Sequence, residues 1–171
     1  MARRRYTPWS ATNGVLFGLA AGVVLALAEV VLAMAAGDSP MRPVRMSAGV
    51  ALGPPAFTPQ VSAATALLVG LGVHLALSAV LGLLYSVLDA MLPVDGRGRW
   101  EFQAPVGMLF GIFAWLVSFQ FVGRGYYPWF LDVPQFEQIV MHAVFMGLPL
   151  AMLFTAAERR RALLDVVEKP V

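Results

Sequence analysis

Cysteine is absent, histidine occurs only twice, and charged residues make up just 13% of the 171 positions. Without thiols there can be no disulfides, thiolate metal sites or iron–sulfur clusters. A soluble domain carries about a quarter of its residues as charge, so the shortage of charge excludes an ordinary water-facing surface. Gly-rich phosphate loops and serine nucleophile elbows are also missing. "GLGVH" and "GRG" are helix-packing and turn glycines. With no catalytic motif, the reading leans away from an enzyme. No internal repeat is strong enough to argue for an inverted-repeat transporter.

What the chain does have is long apolar runs, and 59% of its residues are hydrophobic. A membrane-crossing helix needs about 20 such residues. Four segments qualify, at about 14–36, 63–84, 104–122 and 136–157. The expected fold class is all-α, a single integral membrane domain forming a four-helix up-down bundle. "MARRR", an apolar run and "AMA" at 33–35 resemble a cleavable signal peptide. That run is longer than the usual h-region of about 7–15 residues and contains Glu29, so it reads as a retained first helix.

The basic residues sit at helix ends, which argues for membrane anchoring and against nucleic acid as a partner despite a pI near 9.4. One side of the membrane collects Arg3, Arg4, Arg5, Arg97, Arg99, Arg159, Arg160, Arg161 and Lys169. The other collects Arg42, Arg45 and Arg124. The positive-inside rule then puts both termini in the cytoplasm, with loops 37–60 and 123–135 outside. Loop 37–60 is rich in proline, which stiffens the chain. It reads as an ordered cap or re-entrant stretch, or else as an extended surface loop. Tyr126, Tyr127, Trp129 and Phe130 read as an interfacial aromatic belt. Asp132 followed by Gln135 fits an N-cap with its reciprocal partner.

Small residues recur every fourth position in the first span, at Gly14, Gly18 and Gly22, and in the third span at Gly107 and Gly111. Such stripes let membrane helices approach closely, within one chain or between copies. At 100° per residue, Glu29 falls on the same face as the first stripe, so it points toward packing and away from lipid, where a charge is costly. Gln120 falls on the opposite face of its helix, near interfacial water. The second span aligns Gly70, His74, Ser78 and Tyr85, with Asp89 continuing the stripe. The fourth aligns Gln135, Gln138, His142, Met146 and Pro149, and Pro149 leaves the Phe145 carbonyl without its helical donor.

A rise of 1.5 Å per residue puts Glu29 and His142 roughly 10 Å below the outer ends of their helices and His74 somewhat deeper. Met41 and Met46 can fold over this group from the outer loop. Three readings follow. Glu29, His74 and His142 form a polar cluster that ties helices together. Alternatively they bind a transition metal or haem b, with Met146 as a further ligand and Arg42, Arg45 or Arg124 near haem propionates. Or they form the outer part of a proton or small-solute relay that runs through Ser78, Tyr85, Asp89 and Gln138, in a protein that oligomerises. The expected function is a binding or accessory membrane protein. Its expected partners are the lipid bilayer and a homo-oligomer or larger membrane complex.

The segments "GLAAGVV", "AEVVLAMAAGDSPMRPVRMSAGVALG", "VHLALSAVLGLLY", "FGIFAWLVSF", "YYPWF" and "MHAVFMGLPLAM" cover most of the chain. In this pattern it resembles small four-helix bacterial inner-membrane proteins of the YagU type. The resemblance implies a bacterial inner-membrane location and a bundle architecture. It implies no activity, substrate or site residue.

Overall fold

The computed structural model describes residues 10–167. Arg3, Arg4, Arg5 and Lys169, which contribute to the charge asymmetry, lie outside that range. All regular structure among the described residues is helical. Four helices are long and apolar enough to cross a membrane: α1 (Ala11–Ala35), α3 (Ala63–Met91), α4 (Trp100–Tyr126) and α5 (Gln135–Leu164, helical on to Val167). A shorter helix, α2 (Met41–Leu52), lies between α1 and α3.

Every long helix outruns the apolar run that marks it, because polar residues close its ends. Ser10 Oγ accepts from Asn13 N at 3.3 Å and opens α1; Ser62 Oγ accepts from Thr65 N at 3.1 Å and opens α3. Such caps satisfy amides that have no partner inside the helix. At the end of α1, Gly37 adopts φ 79, donates to the Met34 carbonyl and lets Asp38 N reach the Ala33 carbonyl. These are the paired bonds of a Schellman ending.

Close packing comes from glycine on glycine. Gly14 lies against Ser86, Gly18 against Gly82 and Gly22 against Ser78, so α1 and α3 run antiparallel with their backbones nearly touching. A methyl group on Gly82 would strike the Gly14 carbonyl and the Gly18 backbone. The same holds across α4 and α5, where Gly107 meets Gly147 and Ala151, and Gly111 meets the His142 carbonyl. Within lipid such contacts replace the hydrophobic effect as the force between helices. Helix α1 packs on both α3 and α5, and α5 packs on α4.

One end of the bundle is filled by a core of Ala21, Leu25, Tyr85, Phe110, Met141, Met146, Leu150 and Phe154. The Tyr85 ring meets Phe110 at 5.1 Å and Phe154 at 5.2 Å. Large apolar side chains also face outward, among them Leu27, Val31, Leu68 and Leu109. An apolar exterior of this kind suits hydrocarbon and not water.

Loop 37–60 is a built cap and not an extended loop, since α2 occupies its centre. Met46, Ala48 and Gly49 are buried, and α2 packs along α3. Arg45 donates to the Ala56 and Val61 carbonyls, while Arg42 pairs with Asp38 and donates to the Asp132 carbonyl at 3.1 Å. Trp129 clamps the cap, its Nε1 donating to the Met46 carbonyl at 3.2 Å and its ring lying over Gly49. Asp132 does not cap α5. The helix opens directly after Pro134, and Gln135 folds back to donate to the Phe130 and Val133 carbonyls. Pro134 itself occupies the cap position, two residues beyond the aspartate, and its side chain can accept no bond.

Candidate functional site

Helices α4 and α5 both depart from α-geometry in the halves next to the loop that joins them. Leu116–Gly123 and His142–Gly147 are π-helical. Pro149 follows the second segment and cannot supply an amide to the Phe145 carbonyl, so the helix relaxes into a wider turn just before it. Such bulges recur at functional sites because they redirect side chains. Here the widened turn brings His142 against Phe119, edge to face at 5.3 Å.

Beneath α2, where α1, α3, α4 and α5 come together, lies a cavity of about 240 Å³. Its volume is many times the ~30 Å³ share of one water, so a small organic molecule fits. Glu29 from α1, His74 and Ser78 from α3, Ser118 and Phe119 from α4, and Gln138 and His142 from α5 line it. Asp38, Arg42 and Glu137 stand toward the cap side of the same space.

The hydrogen bonds around this cavity are incomplete. His74 Nε2 donates to the Gly22 carbonyl at 2.9 Å, a contact opened by the absence of a side chain at Gly22, and leaves Nδ1 without a partner. His142 Nδ1 donates to the Gln138 carbonyl at 2.9 Å, one turn back on its own helix, and leaves Nε2 without one. Gln138 Oε1 is buried and accepts nothing. The Glu29 carboxylate makes no hydrogen bond or ion pair among the described residues. Of these, Gln138 Oε1 is the fully buried one, while Glu29 and His74 are half-buried. Buried polar groups are nearly always paired, so a buried orphan beside three further open groups marks the cavity out. Two more orphans, Trp115 Nε1 and Thr155 Oγ1, lie off its lining.

Among the described residues no three His, Cys, Asp or Glu side chains are grouped so as to hold a metal ion. Glu29, His74 and His142 share the cavity wall without forming a coordination cluster. Met146 is fully buried in the apolar core and does not line the cavity. One turn past His142 the helix has already entered that core, so the thioether packs against hydrocarbon.

Tyr85 and Asp89 belong to a second polar group at the opposite end. Tyr85 Oη donates to Gln103 Oε1 at 2.9 Å, and Gln103 Nε2 donates to Asp89 and to the Arg97 carbonyl. Arg97 is 2% exposed and donates to the Leu92 and Ala90 carbonyls. The charge pattern groups Arg97 with the basic residues that flank the spans on one side. In the structure it closes the α3 terminus, whose last carbonyls have no helical donor. Between this group and the cavity stand Ala21, Leu25 and Met146, so the stripe from Asp89 to His74 is broken by apolar packing. Of the expected relay residues, Ser78 and Gln138 lie on the cavity side, the Ser78 Oγ donating to the His74 carbonyl at 2.7 Å, while Tyr85 and Asp89 do not.

Gln103 and Arg97 escaped the sequence reading because both fall in what looks like a short polar turn. One signal was present: Gln103 lies four residues before Gly107 and so shares the packing face of α4. Gln120 also has partners that its position in the sequence does not reveal. It is half-buried and paired: its Nε2 donates to Gln135 Oε1 at 2.9 Å, and its Oε1 accepts from Arg124 at 3.0 Å. No family model, curated protein or solved structure matches this chain.

Proposed function

We propose that this chain is a small multi-pass protein of the bacterial inner membrane, a four-helix up-down bundle with both termini cytoplasmic, that binds a small ligand in the cavity beneath α2. One observation carries the reading: Glu29, His74, Gln138 and His142 come from three different helices and line one space, each with a polar atom that no described residue pairs, Gln138 Oε1 being fully buried. Retaining such groups costs stability, and a ligand that pairs with them offsets that cost. The charge asymmetry supports the orientation.

The absence of cysteine makes the test clean. Ser47→Cys and Ser118→Cys place single thiols on the cavity wall. A small methanethiosulfonate reagent is expected to label both, with Gln60→Cys, exposed outside the cavity, as the positive control. Failure to label either cavity thiol while the control reacts would remove the reading. In spheroplasts, Gln60→Cys is expected to react with an impermeant reagent and Glu101→Cys only after lysis. The reverse pattern would invert the topology.

A metal or haem version draws support from His142 and His74, each of which donates one ring nitrogen to a backbone carbonyl and leaves the other open, the arrangement of a ligating imidazole. Elemental analysis and an absorption spectrum of the purified protein, beside His142→Ala, decide it. Stoichiometric metal or a Soret band lost in the variant supports this version, and a colourless, metal-free preparation favours an organic ligand.

A further inference from the structure

We propose that the cavity takes an organic ammonium, a protonated amine carried on a small apolar body. The proposal rests on the reading of the cavity as a ligand site and names the class of ligand. Four open acceptors face it: the Glu29 carboxylate, Gln138 Oε1, His142 Nε2 and His74 Nδ1, the ring nitrogens being acceptors when the rings are neutral, while the open donors are limited to the Gln138 amide and to serine hydroxyls that can also accept. His142 and Gln138 are 6% and 9% exposed, so these acceptors are built into the wall and do not belong to a water-washed surface.

The charge in the lining is equally one-sided. Glu29, Asp38 and Glu137 contribute three carboxylates, against Arg42 as the sole cation among the described lining residues. Arg42 is already engaged by Asp38 and the Asp132 carbonyl. An anionic ligand would meet carboxylates with no free cation to hold it. A neutral alcohol would satisfy acceptors but leave Glu29 uncompensated in a low-dielectric site, where an unpaired charge is costly. A bare metal ion lacks three grouped ligands. An ammonium supplies up to three donors and one positive charge, matching both deficits together.

The remaining wall defines the body of the ligand. Leu25, Leu32, Val73, Leu77, Leu81 and Phe119 surround the polar patch with hydrocarbon. A polyamine would leave cationic groups against these side chains. A single ammonium on an aryl or alkyl group fits the division of the lining.

The test uses the full chain in nanodiscs of zwitterionic lipid, with empty nanodiscs subtracted, so that anionic headgroups do not gather cations. Binding of 2-phenylethylammonium, 2-phenylethanol and phenylacetate is measured by equilibrium dialysis. The ammonium is expected to bind about tenfold or more tightly than the alcohol, and the carboxylate not to bind, since a desolvated charge pair carries that discrimination. Glu29→Gln keeps the shape and removes the charge, and is expected to bring the ammonium down to the alcohol's affinity while leaving the alcohol unchanged. Equal binding of ammonium and alcohol, or ammonium binding unaffected by Glu29→Gln, overturns the ammonium proposal and leaves the ligand cavity standing. No binding by any probe, with the cavity thiols still labelled, also overturns only the ligand class. No binding together with unlabelled thiols removes the cavity reading itself. Should Glu29→Gln fail to fold, the ammonium-to-alcohol ratio of the unaltered protein decides alone.

Discussion

Two polar groups sit at opposite ends of one apolar bundle, and they are built on opposite principles. Around Gln103, each partner completes another: Tyr85 donates to the amide oxygen, the amide nitrogen donates to Asp89, and Arg97 closes the carbonyls of α3. The space beside that network is a crevice of about 20 Å³, roughly the room of one water. Around His142 the bonds run the other way, back to backbone carbonyls, and the functional atoms are left open to a cavity more than ten times larger. A satisfied buried network specifies structure, while an unsatisfied one calls for a partner from outside. An acid and an amide occur in both, so those residue types alone do not separate the two.

The contrast breaks most readily at the satisfied end. Gln103→Met is expected to cost about 3 kcal/mol, because it strands both the Tyr85 hydroxyl and the Asp89 carboxylate. Unfolding in mixed detergent micelles measures it, and a loss below about 1 kcal/mol would mean the network is dispensable. Gly18→Val comes next, at about 2 kcal/mol, because the new side chain meets the Gly82 backbone and not a flexible tip. The same unfolding experiment reads it, and an unchanged midpoint would show that α1 and α3 do not hold this spacing in the bilayer. Trp129→Phe removes the bond to the Met46 carbonyl while keeping the ring, at about 1 kcal/mol. Faster hydrogen exchange confined to α2 is its signature.

The smallest stability effects belong to the open end. Gln138→Met and Glu29→Gln are expected to change stability by less than about 1 kcal/mol or to raise it slightly, since an orphan polar group costs more than it returns. A loss above about 2 kcal/mol in either would show that these groups are paired after all and would collapse the distinction between the two ends.

Much of this was legible in the residues. The four apolar runs locate the four long helices, and most of their ends lie further out because polar and charged residues flanking the hydrophobic stretch continue the helix, as at 85–91, 100–103 and 158–164. The stripe through Gly14, Gly18, Gly22 and Glu29 predicts that the glutamate turns inward, and Glu29 does line the cavity. Helical spacing also puts His142 and Gln138 on one face. Spacing could not tell which stripe residues would find partners. Met146 and His142 share a stripe one turn apart, yet one enters the core and the other a cavity. Nor could spacing reveal that Arg97 and Asp89 end in one network, because the chain reverses between them.

What the sequence alone determined is the class of object: four helices suited to hydrocarbon, closely packed through small residues, with a few polar groups turned away from lipid. Those properties follow from composition and from the 3.6-residue period, which are local. The tertiary structure decided which polar groups complete one another and which stay open. That depends on the π-helical turns of α4 and α5, on the lid formed by α2 and on the spacing that glycine contacts set between helices. All three arise only when distant segments meet, and together they leave a space that no side chain of this protein fills.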